Sequence, residues 1–280
     1  MILRSRRGRA RLGKRKKKIL TVKALLTLVI SISFIAVSTW LVRLPQINID
    51  AVEISGNAIT TSKSLRDIID TELDGTYMFL VPRSNIFLYP RRSMSLLLTE
   101  QFPRIKGVSV SFVDFHTITV EVKERVPFGL WCGATDKLAA KEGSKCFYLD
   151  NRGYIFAQSP NFSGDIFFRY YGPLHDTFIV TDPLGMQYLP AAQFLGYNLF
   201  LEALRDLKVN PVALVRDEDS DLHLKFESGA VLLFRTDQNL NTILENFRSI
   251  LLSSIFLEQG IKNVEYIDLR YGNKVFYKTK

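Results

Sequence analysis

Residues 108–122 read Val-Ser-Val-Ser-Phe-Val-Asp-Phe-His-Thr-Ile-Thr-Val-Glu-Val. Val108, Val110 and Phe112 alternate with Ser109 and Ser111, and Ile118, Val120 and Val122 alternate with Thr119 and Glu121. A period of two sends alternate side chains to opposite faces of a sheet, so the stretch predicts two strands joined by a turn at Asp114 to His116. Upstream, Ile49 to Ile54 predicts a short strand that ends at the turn pair Gly56-Asn57. Leu65, Ile68, Ile69 and Leu73 fall on one helical face, and Thr60, Thr61 and Ser62 offer N-caps for that helix. A second helix is predicted from Arg91 to Phe102, because Pro90 suits a helix start and Pro103 closes it. The order is β-α-α-β-β over residues 47–125, which predicts a small sheet covered on one face by two helices.

The segment before this unit is of another kind. Ala24 to Val42 are 19 consecutive uncharged residues between Lys23 and Arg43. As a helix they span roughly 28 Å, close to the hydrocarbon thickness of a bilayer. Residues 1–18 carry ten cations and no acid, against a net charge of +9 for the whole chain, which leaves −1 for everything from Ile19 onward. A basic tail over residues 1–23 on one side and Arg43 on the other orient the crossing with the N-terminus in the cytoplasm and the body outside. Trp40 suits the far interface. A cleaved signal peptide is the competing reading, since Ala36, Val37 and Ser38 approximate a cleavage site, but apolar residues continue through Trp40, Leu41 and Val42. A buried core helix is a third, opposed by the lack of a polar face. The tail has anionic lipid within reach, or serves only as a topology signal.

Placing the charge in the tail removes the case for nucleic acid as a partner: residues 44–280 carry −3, so the folded body lacks a basic excess. Hydrophobic content of 47% and aromatic content of 12% exclude general disorder.

Residues 126–280 predict short strands at Cys146–Leu149, Tyr154–Gln158, Val212–Arg216, Leu222–Glu227 and Val231–Phe234. Two helices interrupt them. One carries Phe194, Tyr197, Leu201 and Leu204; the other, capped by Thr236 or Asp237, carries Leu240, Ile243, Leu244, Phe247, Ile250 and Leu251. The fold class is α+β, with helices on one face of a mostly antiparallel sheet. Cys132 and Cys146 are the only cysteines, and the 13-residue stretch between them is polar in character and glycine-bearing, like a surface loop. In an oxidising compartment a disulfide between them would close a loop worth about 3 kcal/mol; two free thiols are the alternative.

No catalytic, cofactor or metal constellation emerges. His116, His175 and His223 are isolated from any recognisable motif partner. Asp217, Glu218, Asp219 and Asp221 superficially resemble a calcium loop, but Leu222 stands where glycine is needed and Ser228 where glutamate is needed. Asn161-Phe162-Ser163 is an acceptor pattern only in a glycosylating host. What remains is surface for partners: Lys274 to Thr279 predict a last strand with a free edge, able to accept a partner strand. The opposite use of the same strand is protective, with Ile267, Leu269 and Val275 in the core and Lys278 and Lys280 guarding the edge.

Several strings together resemble a known family. They are VEISGN (Val52 to Asn57), GTYMFL (Gly75 to Leu80), FPRIKGVSV (Phe102 to Val110), HTITVEVKERVP (His116 to Pro127), LDNRGYIF (Leu149 to Phe156) and YIDLRY (Tyr266 to Tyr271) with Asn273, Lys274 and Val275. The β-α-α-β-β unit resembles a POTRA domain, and its place after a basic tail and single anchor resembles the bacterial cell-division family FtsQ/DivIB. Departures are the inserted loop between the cysteines, Pro90 in the second-helix region, and the lack of the long polar tail that some members carry after the last strand. The resemblance implies a non-catalytic scaffold of the divisome in the inner membrane at the septum, linking early division proteins to septal wall synthesis. It implies FtsB/DivIC and FtsL-like partners at the C-terminal edge, through Arg270, Tyr271, Lys274, Val275, Phe276 and Tyr277, and other divisome proteins at the POTRA domain. The alternatives are a POTRA-bearing protein of polypeptide transport or outer-membrane assembly, expected to carry a barrel or repeated units, and an anchored cell-wall enzyme, expected to carry a catalytic constellation.

Overall fold

The computed structural model describes residues 6–134, 145–161, 166–174, 182–217, 221–254, 256–257, 260–272 and 274–280, with side chains from Lys18 onward. Two compact units share the chain: Met1–Gln101 with Gly107–Lys123, and Phe102–Lys106 with Glu124–Lys280.

The first unit begins with α1 (Arg6–Val42). From Lys18 to Val42 this helix is long and apolar enough to cross a membrane, and none of its most apolar window is buried against the rest of the chain. A core helix would be covered by other elements, so that reading fails. Helix ends leave carbonyls without intrahelical partners. Here the Asn48 side-chain amide donates to Val42 O at 3.3 Å and Leu44 O at 2.6 Å, and the Asn85 amide donates to Val42 O at 3.1 Å. Asn85 is buried, and this capping bond supplies its partner.

There follow β1 (Ala51–Ser55), α2 (Ser62–Leu73), β2 (Thr76–Tyr77), β3 (Val81–Pro82), α3 (Arg91–Gln101), β4 (Ile105–Phe112) and β5 (Thr117–Glu124). The sheet order is β1-β5-β4, with β1 parallel to β5 and Val52 opposite Ile118. Thr61 is the cap that α2 uses: its Oγ1 accepts from Ser64 N at 3.3 Å. Leu65 and Ile69 of α2, Met94 and Leu98 of α3, and Ile118, Val120 and Val122 of β5 are buried. Gly56 turns the chain at φ +79°, and a Cβ there would lie 2.1 Å from Val122 O, so only glycine fits. Two features depart from the expected pattern. The β2–β3 hairpin adds a second, two-stranded sheet, and Phe112, on the apolar side of the β4 alternation, is exposed.

The second unit is a nine-stranded sheet built from β6 (Gly129–Trp131), β7 (Phe147–Leu149), β8 (Ile155–Gln158), β9 (Arg169–Tyr171), β10 (Pro211–Arg216), β11 (Asp221–Phe226), β12 (Val231–Arg235), β13 (Val264–Tyr271) and β14 (Lys274–Thr279). Their order is β14-β13-β12-β11-β10-β9-β6-β7-β8. The sheet is more mixed than the sequence suggests: β9/β10, β12/β13 and β6/β9 are parallel, and the other five neighbouring pairs are antiparallel. Parallel neighbours need a crossover. Helix α4 (Ala191–Asp206) supplies it between β9 and β10, and α5 (Leu240–Leu251) between β12 and β13. Phe194, Leu201 and Leu204 of α4 and Ile243, Phe247 and Ile250 of α5 share one core with Leu214, Leu224, Phe234 and Ile267 of the sheet. The α5 cap is Asn239 rather than Thr236 or Asp237: Asn239 Oδ1 accepts from Asn241 N at 2.9 Å, while Asp237 pairs with Arg235.

Two motif strings meet in this unit. Asp150 Oδ1 accepts from Arg152 N and Tyr154 N, at 2.8 and 3.0 Å, and its Oδ2 pairs with Arg125 Nη1. The turn places Gly153 at φ +80° against the Phe194 ring, where a Cβ would come within 2.9 Å. Cys132 and Cys146 are disulfide-bonded, with Cα atoms 4.2 Å apart. They directly follow and precede the paired residues Trp131 and Phe147, so the β6/β7 register itself holds the two thiols together. The segment they enclose lies outside the described residues from 135 to 144.

A candidate partner-binding edge

The sheet's outermost strand on one side is β14, whose one neighbour among the described residues is β13. Antiparallel ladders alternate residues whose main-chain groups point toward the partner strand with residues whose groups point away. Lys280 N donates to Asn263 O at 2.9 Å, so its groups face inward. The two register shifts of this ladder put their extra residues on β13, so alternation along β14 is unbroken: counting back by twos, Lys278, Phe276 and Lys274 also face β13, and Thr279, Tyr277 and Val275 turn their N–H and C=O outward. An added strand would meet those three residues first.

The side chains divide the positions that the resemblance singles out. Tyr271 is 59% exposed and meets the Phe276 ring edge-on at 5.5 Å, across the turn that joins β13 and β14. Phe276 and Tyr277 are exposed, Tyr277 lying 5.4 Å from Phe256. Lys274 is exposed at the strand start, whereas Val275 is partly buried against the main core. Asn273 lies outside the described residues. Beyond the set, Lys278 pairs with Glu265 at 2.7 Å, and Lys280 Nζ donates to Ser228 O at 2.9 Å, fastening the far end of β14.

Arg270 stands apart from the others. Its Nε and Nη2 grip the two oxygens of Asp268 at 2.9 and 2.6 Å, and its Nη1 pairs with Asp221 of β11. The side chain is 27% exposed, so the geometry gives it an internal task that motif matching did not reveal: locking β13 to β11 across β12. Burial pushes the Asp268 carboxyl up, but hydrogen bonds and charge from Arg270 outweigh this and hold it below the ordinary range. Its hydrogen bonds to Asp268 and Asp221 raise the Arg270 guanidinium in return. A row of cross-strand partners runs from Val215 through His223, Leu233 and Asp268 to Phe276, tying the edge to the middle of the sheet.

The positions considered for chemistry are placed elsewhere. His116 N and Thr117 N both donate to Asp114 Oδ1 at 2.8 Å, which makes that site a closed turn. Asp221 N donates to Asp217 Oδ1 at 2.8 Å, and His223 Nε2 lies 3.3 Å from Asp217 Oδ2. His175, Phe162, Ser163, Glu218 and Asp219 lie outside the described residues. Among the described residues, no group of three or more His, Cys, Asp or Glu side chains has the placement to hold a metal.

The fold and site together describe an α+β protein with one N-terminal helix able to span a membrane and an exposed strand at the end of its larger sheet. No family model and no curated protein sequence matches the chain.

Proposed function

We propose that the protein is a non-catalytic, single-pass scaffold of the bacterial division machinery, of the FtsQ/DivIB kind. In this reading α1 crosses the inner membrane with the basic tail against cytoplasmic lipid, and the first unit is a POTRA domain that engages other divisome proteins. The second unit offers β14 to FtsB/DivIC and FtsL-like partners. The observation that carries the reading is the outward main-chain groups of Val275, Tyr277 and Thr279, on a strand beside the exposed rings of Tyr271 and Phe276. Main-chain hydrogen bonds along such an edge supply affinity, and the aromatic side chains beside it supply selectivity. Arg270 serves this reading from inside, by holding β13 in place.

Two measurements test it. A fluorescent fusion of the intact protein gathers at midcell during constriction; uniform peripheral fluorescence throughout the cycle would remove the division reading. Capture of an FtsB-like partner by the intact chain is lost when residues 274–280 are deleted, and equal capture by both forms would remove strand addition.

A further inference from the structure

We infer that the end of the first unit next to α1 rests in the outer leaflet of the same bilayer, with the β2–β3 turn as its deepest point. The inference depends on α1 being the membrane anchor proposed above.

The turn itself is the first observation. Leu80 N donates to Tyr77 O at 2.9 Å, and the two residues between them, Met78 and Phe79, both have positive φ, 48° and 63°. This is the mirror-image turn that asparagine and glycine ordinarily fill. Here two large apolar side chains fill it, and they are 88% and 90% exposed. Backbone strain and exposed apolar surface both act against this arrangement in water, and strain of this kind clusters where a segment has a task. In the acyl–headgroup boundary the exposed side chains become favourable.

The second observation is where the turn sits. Arg43, the first residue after α1, donates Nε to Leu80 O at 3.1 Å and Nη2 to Phe79 O at 2.9 Å. The turn is thus fastened to the point at which the chain would leave the bilayer. Bonds from Asn48 and Asn85 to Val42 O fix the exit of the helix further. The Phe87 N–H donates to Asn85 Oδ1 at 3.1 Å, and the exposed ring of Phe87 lies 6.3 Å from that of Phe115, which meets Phe112 at 6.0 Å. An apolar rim therefore runs from the helix exit through Phe87 to Phe115 and Phe112. Trp40 lies one turn before Arg43 and is exposed, and Arg83 lies 5.6 Å from the Tyr77 ring, so in this placement an interfacial aromatic and two cations stand beside the turn.

The occupant is lipid because the rim is tied to the anchor and cannot leave the surface that the anchor crosses. Depth-dependent quenching tests this on the full chain in phosphatidylcholine–phosphatidylglycerol vesicles. A fluorophore is attached at Phe79→Cys, at Ser33→Cys in the middle of α1, or at Lys63→Cys in α2, beyond the far end of β1. Labelling without reductant leaves the bonded Cys132 and Cys146 unmodified, and the unsubstituted chain is the blank. Spin-labelled acyl chains are expected to quench the Phe79 label at least about twofold more than the Lys63 label, with a blue-shifted emission, and to quench the Ser33 label most when the spin label is deep. A Phe79 label quenched no more than the Lys63 label, with Ser33 quenched, overturns the inference while the anchor stands, and leaves the rim to a protein partner. An unquenched Ser33 label overturns both. A Phe115→Cys label repeats the comparison at a second point of the rim, should the tip substitution disturb the turn.

Discussion

The guanidinium of Arg125 and the carboxylate of Asp150 meet at 2.5 Å, with only 3% of the Asp150 side chain exposed. The same guanidinium lies 3.9 Å from the centre of the Tyr154 ring, and its Nε donates to Pro103 O at 3.0 Å. One arginine thus joins the strings FPRIKGVSV, KERVP and LDNRGYIF. A buried pair broken on one side leaves a charge without compensation, at a cost of about 3 kcal/mol or more. Arg125→Ala is expected to lower the melting temperature of the intact protein in detergent by roughly 6–12 °C, taking about 2–4 °C per kcal/mol for a unit of this size. Arg125→Lys keeps the charge but loses the planar fork and the stacking, and is expected to fall between. A wild-type melting curve for Arg125→Ala would mean that the pair contributes nothing.

Arg270 and Asp268 give the protein a definite acid limb. The folded carboxyl of Asp268 titrates below its unfolded value of about 3.9. A depressed carboxyl contributes stability that is fully present above the unfolded pKa and is lost as pH falls through the folded one. Urea unfolding at a series of pH values is expected to show Asp268→Asn less stable than wild type at pH 7, with the gap closing below about pH 4. A gap that stays constant from pH 7 to pH 3 would show that Arg270 does not hold Asp268 ionised.

The disulfide closes a loop with a sequence separation of 14. Chain-entropy reasoning assigns about 3 kcal/mol to a loop of that length. Cys132→Ser with Cys146→Ser, and reductant acting on the unsubstituted chain, are expected to lower stability to a similar extent. If the double substitution melts like the oxidised wild type, the bond serves only the segment it encloses.

How far the sequence reveals this fold depends on the range over which each signal acts. Period-two alternation over eight residues made β5 readable, and helical spacing made α2, α4 and α5 readable, because those patterns are local. Gly129–Trp131 and Arg169–Tyr171 are three-residue strands in the middle of the large sheet. Three residues carry no period, and only their neighbours make them strands. The parallel junctions were hidden for the same reason, since a strand's direction relative to its neighbour is set by the crossover. At the candidate edge, the last strand and its aromatic residues were legible. The pairing of Arg270 with Asp221, 49 positions earlier, was not, because such a contact exists only once β11 and β13 lie one strand apart. The β2–β3 turn was concealed by its own composition: Met78 and Phe79 are the wrong residues for a mirror-image turn in water.

Alternation along β14 separates two neighbouring positions by function. Val275 turns its N–H away from β13 and Phe276 turns its N–H toward it, by the inward bond of Lys280. Proline lacks that N–H. Val275→Pro is therefore expected to delete a donor from the outer edge without removing a bond of the β13–β14 ladder, so partner capture falls by more than about tenfold while the melting temperature falls no further than in Val275→Ala, which loses the same packing against the core. Phe276→Pro removes a ladder bond instead and is expected to loosen β14 itself, which shows as a lowered melting temperature and faster amide exchange at Ile267 and Asp268. Phe276→Ala, which keeps the main chain and removes only the ring beside Tyr271, is expected to weaken capture without moving the melting temperature. Undiminished capture by Val275→Pro would exclude main-chain strand addition at this edge, and loss on Phe276→Ala alone would leave the exposed aromatic pair as the docking feature.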